Sequence, residues 1–364
     1  MICTSLTEAH TEQSEIPEKG YKKDDRLNTN FNLNPRKMSW KHFAPFLFLV
    51  QLVQFVSPAT INDFYTAENI KKNAGMAQAQ ARAGPLVDVV EDFVETLIPG
   101  DPKSGLWYRI GIPKGGTTGT EGVNILLHGD GASSYISFPN APLKDNLIGV
   151  ALLAPHKLSK WGGGKCGNEC DLERSEAQQH SVLIDAFITN ELPKLVKFDP
   201  SKVYFTGASG GSLLLSNDFI PRFAEKYNAG YMLLCGGMGS KDIAKQDKMA
   251  SVSRIHFQTS AQDLDYLRDP LTKTVQAVAA SALKANMSPL RINQRFTIDR
   301  TPPGGHCGFD SLGLEKIDPE LGQDEFDAGV QLMIDNFSNI MFKRKDIPSV
   351  TAMTSVLNDA PLVL

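Results

Sequence analysis

The stretch Lys202-Val-Tyr-Phe-Thr-Gly-Ala-Ser-Gly-Gly-Ser212 joins a short apolar run to an apolar segment of helical character. Residues 202–206 predict a buried strand, and residues 212–226 predict a helix. Glycines on both sides of Ser209 permit a tight strand-to-helix turn, which would expose the serine hydroxyl at the N-terminus of the helix. An ordinary glycine-rich turn is the alternative, since the five-residue pattern is short. The strand–turn–helix context favours the first interpretation.

Other apolar runs, each bounded by turn residues, alternate with helical stretches along the chain. Predicted strands span residues 106–113, 123–127, 147–154, 202–206, 231–235, 254–259 and 292–298, and predicted helices span residues 172–196, 212–226, 270–286 and 324–341. Continuously apolar strands that alternate with helices indicate a mostly parallel sheet covered on both faces. Since no repeat and no second core is evident, the sequence predicts one α/β domain over residues 85–345, followed by a C-terminal tail at 346–364 without a clear pattern.

The composition is that of a folded globular chain. Of the 364 residues, 41% are hydrophobic and 21% are charged, which is too apolar for a disordered chain. The 37 basic and 41 acidic side chains leave a net charge of −4 and form no basic block. Nucleic acid and anionic membrane surfaces are therefore not expected as partners.

The first sixty residues predict a targeting segment. Residues 1–37 are polar and charged, so we expect them to be disordered and to lie outside the native product, with Met38 as the true start. After Met38 come a basic start, an apolar run at residues 43–56, and small residues that end at Ala59. This pattern predicts a secretory signal peptide at residues 38–59 and a secreted protein.

Two alternatives exist for this apolar run. An uncleaved anchor is disfavoured because a bilayer span needs about 20 apolar residues. A buried core helix is the other alternative. Residues 60–84, which follow, are polar and alanine-rich, and we interpret them as a linker or a surface helix.

A second glycine-rich loop, His128-Gly-Asp-Gly131, follows the apolar run at residues 123–127. Exposed backbone N–H groups of such a loop can donate to the oxyanion that develops when a serine attacks a carbonyl carbon. A glycine hairpin with a structural histidine is the alternative. The loop and the later Gly-x-Ser-x-Gly pattern together are more specific than either motif alone.

A base and an acid are expected on later loops that follow strands. His306 lies in Thr-Pro-Pro-Gly-Gly-His-Cys-Gly-Phe-Asp at residues 301–310, and no other histidine has a comparable setting late in the chain. The acid must orient the second ring nitrogen of that histidine. Asp263, just past the strand at residues 254–259, is preferred. Asp265 is the fallback, and Asp310 is a weaker candidate because it follows the histidine.

These motifs resemble the α/β-hydrolase superfamily, in particular secreted carboxylesterases of the polyhydroxybutyrate depolymerase and feruloyl esterase type. The stretch Phe198-Asp-Pro-Ser-Lys-Val-Tyr-Phe-Thr-Gly-Ala-Ser-Gly-Gly211 is similar to the segment around the nucleophile of that group. The resemblance covers residues 106–342 and implies an α/β-hydrolase fold with helices on both faces of a mostly parallel sheet. The site residues that it implies are the nucleophile Ser209, the acid Asp263, the base His306, and an oxyanion hole made by the backbone N–H groups of Gly210 and Asp130.

Asp130 departs from the pattern of the family, which often has a third glycine here. A carboxylate near a developing oxyanion opposes the reaction unless it points away. A further glycine-rich segment at residues 161–170 lacks the spacing and the Lys-Ser/Thr ending of a phosphate-binding loop. The mechanism that the serine, histidine and aspartate imply needs no metal and no organic cofactor.

The five cysteines agree with secretion once the N-terminal segment is removed. Cys3 leaves with that segment, and four cysteines can form two disulfides outside the cell. Cys166 and Cys170 predict a local disulfide, because a metal site would need two further ligands nearby. Cys235 ends a strand and Cys307 adjoins the proposed base. For this second pair, a bridge and two buried free thiols are both open.

Asn-x-Ser sequences begin at Asn286 and Asn336, and we interpret them as glycosylation sites, with Pro289 disfavouring the first. Together the patterns predict a secreted serine hydrolase that cleaves a carboxylic ester, either small or polymer-linked, through an acyl-enzyme, with no stable membrane span. A serine peptidase with the same triad is one alternative. A catalytically inactive α/β-hydrolase-fold binding protein is the other, and Asp130 is its best support.

Overall fold

A nine-stranded sheet organises the chain. Its strands are β1 (Val87–Val94), β2 (Leu106–Pro113), β3 (Gly122–Leu127), β4 (Leu147–Leu152), β5 (Val203–Ala208), β6 (Gly230–Leu234), β7 (Arg254–Gln258), β8 (Phe296–Asp299) and β9 (Ala360–Pro361). Their order is β1-β2-β4-β3-β5-β6-β7-β8-β9. Strands β3 to β8 are mutually parallel, whereas β1 pairs antiparallel with β2, β2 with β4, and β9 with β8.

The computed structural model describes residues 87–101, 104–135, 146–164, 172–228, 230–302, 304–309, 337–342 and 360–361. These residues all belong to one unit that spans Pro58–Leu364. The predicted disordered segment, signal peptide and linker lie outside the described residues, as do Cys166, Cys170, Asp310 and Asn336. Within the described part of the chain, no helix has the length and apolarity needed to cross a membrane.

The helices at residues 177–195, 210–223 and 265–284 follow the predicted pattern, and the first two contain π-helical turns. Helix α1 (Ala177–Ala186) continues through the turn Phe187–Glu191 into α2 (Leu192–Leu195), and α3 (Gly210–Leu214) continues through Leu215–Phe219 into α4 (Ile220–Phe223). The remaining helices are α5 (Ile243–Gln246), α6 (Asp265–Lys284), α7 (Pro289–Arg295) and α8 (Phe337–Met341). The structure describes only the end of the helix predicted at residues 324–341.

The strand predicted at residues 292–298 is wrong over its first half. The structure has helix α7 there, and strand β8 begins only at Phe296. Pro289 at the first helical turn fixes a helical φ, and the Ser288 hydroxyl caps the helix by accepting the backbone N–H of Arg291. These start signals outweigh the apolar character of Ile292, which is buried as part of the helix.

The sheet is buried on both faces, as a parallel sheet requires. Successive side chains of a strand point to opposite faces. Accordingly, Ile125 belongs to a large apolar cluster on one face of β3, whereas Leu126 belongs to a smaller cluster on the other. Tyr231 and Met232 divide in the same way on β6. The parallel order with β3 and β4 exchanged is that of the α/β-hydrolase fold, so the predicted fold class is confirmed.

Candidate active site

Ser209 occupies a strained turn between β5 and α3. Its backbone has φ 45° and ψ −109°, a conformation that residues with a Cβ atom rarely adopt. The Ser209 N–H donates to the carbonyl of Leu234 on β6, at 2.8 Å, which holds the turn in place. A Cβ atom at Gly211 would overlap the carbonyl oxygen of Leu127, so glycine there lets the start of the helix approach the end of β3. The predicted strand–turn–helix around Ser209 is therefore present.

Ser209, His306 and Asp263 form a continuous hydrogen-bonded chain. Ser209 Oγ lies 2.9 Å from His306 Nε2, and His306 Nδ1 lies 2.6 Å from Asp263 Oδ1. Asp263 is buried, whereas His306 and Ser209 are half-buried and accessible from solvent. When Nδ1–H donates to the carboxylate, Nε2 presents its lone pair to the serine hydroxyl, which can then donate to it.

The Asp263 carboxylate is held by three hydrogen bonds, one of them from His306. Thr259 Oγ1 donates to Oδ2 at 2.5 Å, and the Leu264 N–H donates to Oδ1 at 2.8 Å; the third donor is His306. Burial raises the pKa of Asp263, but the hydrogen bond and charge of His306, with the bonds from Thr259 and Leu264, outweigh burial and hold this pKa below its ordinary value. The carboxylate is therefore ionised beside the imidazole.

The backbone of Asp263 makes a further hydrogen bond, since its N–H donates to the carbonyl of Ser260 at 3.4 Å. Asp265, the fallback acid, is placed differently. It is the first residue of α6, its side chain is 95% exposed, and it pairs with Arg268 at 3.2 Å. The third candidate, Asp310, lies outside the described residues. Of the described candidates, Asp263 is the one that the structure brings to His306.

Two backbone N–H groups beside Ser209 are open. The Gly211 N–H donates to the His128 carbonyl at 3.1 Å, which holds the loop at residues 128–131 against the start of α3. A Cβ atom built on Gly210 would lie 3.1 Å from the backbone nitrogen of Asp130, so these two residues adjoin. In the described part of the chain, the N–H groups of Gly210 and Asp130 have no hydrogen-bond acceptor. Both are therefore available to an oxygen of a bound molecule.

His128 is a structural residue of this loop, as one of the sequence interpretations had it. It is fully buried, with Nδ1 2.6 Å from the Gly129 carbonyl oxygen and Nε2 accepting the Ala154 N–H at 3.0 Å. Burial lowers the pKa of His128 to about 4, so the ring is neutral. The Ser134 hydroxyl accepts the Gly129 N–H at 3.2 Å and fixes the other side of the loop.

The Asp130 carboxylate is paired with Arg174, a residue that the sequence analysis missed. Arg174 Nη2 lies 2.9 Å from Oδ2, and Nη1 lies 3.4 Å from Oδ1. The arginine side chain is 1% exposed and that of Asp130 is 34% exposed. Because the two residues are far apart in sequence and Arg174 lies in no motif, no local pattern could have revealed the pair.

A disulfide ties the loop of His306 to the central sheet. Cys235 at the end of β6 is bonded to Cys307, with 5.1 Å between their Cα atoms. Of the two alternatives, the bridge is confirmed and the pair of free thiols is wrong. The Ser260 hydroxyl also donates to the Gly305 carbonyl, which joins the loop of the acid to the loop of the histidine.

One cluster in the described residues has the spacing of metal ligands, but two of its three donor atoms are not available to bind a metal ion. Cys235, His306 and Cys307 have donor atoms within 4.8 Å of one another. Both sulfur atoms belong to the disulfide, so neither is a thiolate. A separate cavity of about 600 Å³ is lined by residues that include Glu173, Ser175, His156 and Lys157.

The strained serine, the histidine, the buried carboxylate and two open N–H groups meet at the carboxyl ends of the parallel strands. This is the edge at which open α/β sheets place their sites. The class that the fold defines is the α/β-hydrolase fold.

Solved structures similar to this chain include three esterases. A thermostable esterase is 15% identical, with a TM-score of 0.44, over 70% of this chain and 63% of its own. A fungal esterase from Rhizomucor miehei is 15% identical, with a TM-score of 0.43, over 74% and 91%. A feruloyl esterase module from Clostridium thermocellum, complexed with sinapinate, is 14% identical, with a TM-score of 0.41, over 68% and 89%. No protein-family model matches the chain, and no curated protein sequence does so either.

Proposed function

We propose that this chain is a secreted serine hydrolase that cleaves a carboxylic ester through an acyl-enzyme. The hydrogen-bonded chain from Ser209 through His306 to Asp263 is the observation that carries the proposal. The sequence predicts the same three residues as nucleophile, base and acid, because each lies on a loop after a strand. The open N–H groups of Gly210 and Asp130 supply the oxyanion donors that acyl transfer needs.

The first half of the reaction forms the acyl-enzyme. His306 Nε2 takes the proton of Ser209 Oγ while Oγ attacks the ester carbonyl carbon. The carbonyl oxygen becomes an oxyanion and accepts the N–H groups of Gly210 and Asp130. When the tetrahedral intermediate collapses, the bond to the alkoxide oxygen breaks, and His306 gives its proton to that oxygen. Asp263 holds the imidazole and offsets its positive charge.

The second half releases the acid. Water attacks the acyl carbon while His306 Nε2 takes one of its protons. Collapse of the second tetrahedral intermediate returns the proton to Ser209 Oγ and frees the carboxylic acid. Every proton is carried by His306, and the chain itself is restored.

The proposals that the substrate is an ester and that the protein is extracellular are supported mainly by the sequence. The segment at residues 198–211 resembles that of secreted carboxylesterases, which favours an ester over a peptide. The signal-peptide pattern at residues 38–59 and the disulfide between Cys235 and Cys307 support export, because disulfides persist in oxidising compartments.

A fluorophosphonate probe tests the nucleophile. We expect one adduct, mapped by mass spectrometry to Ser209, and no adduct in the Ser209→Ala variant. Turnover of p-nitrophenyl acetate should fall roughly 10⁴-fold or more in that variant. Ser201→Ala is the matched control, since Ser201 is an exposed serine outside the site.

Two results would overturn the proposal. A folded wild-type chain without an adduct on Ser209 would favour the inactive binding protein. Turnover of a peptide p-nitroanilide as fast as that of p-nitrophenyl acetate would favour the serine peptidase.

A further inference from the structure

Asp130 creates a chemical problem for the proposed reaction. Its N–H is one of the two oxyanion donors, yet its side chain brings a carboxylate to the same place. A Cβ atom built on Gly210 would lie 2.6 Å from Asp130 Cγ, which shows how close the carboxyl group is to the other donor. An unbalanced negative charge here would repel the oxyanion that forms in the transition state.

Arg174 is placed to balance that charge. Both terminal nitrogens of its guanidinium reach the Asp130 carboxylate, at 2.9 Å and 3.4 Å. Since the arginine side chain is 1% exposed, water reaches this pair only from the side of the Asp130 carboxylate, whose side chain is 34% exposed. The two-point contact also fixes the direction of the carboxylate, and a single ammonium group would not do so.

The Nε–H of the same guanidinium is buried and has no hydrogen-bond partner in the described part of the chain. A buried donor without a partner costs free energy. Arg174 is therefore held in a position that serves the Asp130 carboxylate at the expense of its own hydrogen bonding.

The position of Arg174 is fixed by the frame around it. The Ala177 N–H, at the start of α1, donates to the Arg174 carbonyl at 3.1 Å. The buried ring of Trp161 lies between His128 and His180, with centroid distances of 5.3 Å and 6.0 Å. Because His180 is on α1 and His128 is on the oxyanion loop, this cluster of three rings connects the two segments.

We propose that Arg174 is a positioning residue for ester hydrolysis, which acts by neutralising and orienting the Asp130 carboxylate so that the Asp130 N–H can donate to the oxyanion. This inference rests on the proposed function. It also explains how an active enzyme can have Asp130 where the family often has glycine. The positive charge of Arg174 balances the carboxylate, so Asp130 no longer favours an inactive protein. Arg174 itself touches neither the substrate carbonyl nor Ser209 in this mechanism.

The variant Arg174→Gln tests the proposal with p-nitrophenyl acetate as substrate. We expect kcat to fall roughly 10- to 100-fold with KM within about threefold of wild type, since the loss arises in the transition state. The double variant Asp130→Asn/Arg174→Gln removes both charges. We expect it to recover kcat to within about threefold of wild type, a rescue that a purely structural arginine would not give.

Arg222→Gln is the matched control, because Arg222 also makes a two-point pair with an aspartate, Asp218. It lies on α4, about 20 Å along the helix from Ser209 at 1.5 Å per residue. We expect its kcat to equal that of wild type.

The outcomes separate this inference from the proposed function. A wild-type chain that hydrolyses no ester overturns both. A wild-type chain that is active, with an equally active Arg174→Gln variant, overturns the inference alone. Should Arg174→Gln fail to fold, the double variant still decides, because it leaves no unpaired charge: recovery of kcat supports the inference, and a 10-fold or greater loss overturns it.

Discussion

Gly210 has no room for a side chain in this site. The side chain of Asp130 fills the space that a Cβ atom at Gly210 would occupy, and the Gly210 N–H is an oxyanion donor in the proposed reaction. A side chain at Gly210 would therefore displace the Asp130 carboxylate. The neighbouring Ser209 carries the positive φ of the turn without being glycine, because its hydroxyl is needed there.

Gly210→Ala should lower kcat about 100-fold, since the added methyl group displaces Asp130 and its N–H from the oxyanion. The measurement is steady-state hydrolysis of p-nitrophenyl acetate. Gly115→Ala is the control, because a Cβ atom at Gly115 meets nothing within 4 Å. Equal kcat in the two variants would contradict the placement of the oxyanion hole.

The three residues of the proposed triad could be predicted from the sequence because each has a local marker. Ser209, Asp263 and His306 each follow a strand, and parallel strands bring their carboxyl ends to one edge. Arg174 has no such marker, so only the folded chain reveals its pairing with Asp130. The choice between Asp263 and Asp265 depended on side-chain direction within one turn, which spacing alone does not determine.

At the scale of elements, the disulfide and the cluster of three rings each connect two segments of the site. The disulfide joins the end of β6 to the loop that bears His306. The ring cluster of His128, Trp161 and His180 joins the oxyanion loop to α1. The sequence raised the bridge only as one of two alternatives and did not predict the ring cluster, because each contact connects segments that are distant in sequence.

The double variant Cys235→Ser/Cys307→Ser should lose both stability and activity. A bridge across 72 residues is expected to contribute about 2–4 kcal/mol to the free energy of unfolding. We also expect kcat to fall roughly 10-fold or more, because His306 loses its tether. Urea unfolding and ester hydrolysis measure the two effects.

The control for that experiment is Cys166→Ser/Cys170→Ser, which removes the other predicted pair. A Cys235→Ser/Cys307→Ser variant with unchanged kcat would show that the hydrogen bonds of the histidine loop suffice without the disulfide.

The two buried histidines of the ring cluster, His128 and His180, should make the fold sensitive to mild acid. Burial lowers the pKa of His128 to about 4 and that of His180 to about 3, against an ordinary value of about 6.5. On acidification the unfolded chain therefore binds protons first, and stability falls as the pH drops from about 6.5 toward 4. Each histidine contributes a slope of about 1.4 kcal/mol per pH unit.

Urea unfolding at a series of pH values measures this slope. In the variant His180→Gln, whose amide oxygen can still accept the Gly162 N–H that His180 Nδ1 accepts, the slope should be smaller by the share of one histidine. An identical slope in the variant and wild type would show that His180 does not carry the effect.

At the scale of the whole molecule, the alternation of apolar runs and helices was sufficient to predict the α/β fold. The edges of the sheet were not predicted. Strand β1 mixes apolar and charged residues without a regular alternation, and β9 consists of two residues in a tail without pattern. Each is recognised as a strand only by its pairing with a neighbour, β2 or β8.

The whole chain is expected to be exported with loss of its N-terminal segment. When the full chain is expressed in a secreting host, we expect the protein in the medium to begin at Thr60, after cleavage behind Ala59. N-terminal sequencing of the secreted protein checks this. A secreted protein that begins before Met38 would contradict both the start and the signal peptide.

The disulfide also changes the covalent connectivity of the chain. It closes a ring over the segment from Cys235 to Cys307, and that ring contains the acid and the histidine but not the serine. The exposed turn at residues 285–288 between α6 and α7 lies within the ring. A protease that cuts once in this turn would therefore leave a nicked molecule whose two pieces stay joined, with the proposed acid and base still attached to opposite sides of the same bond.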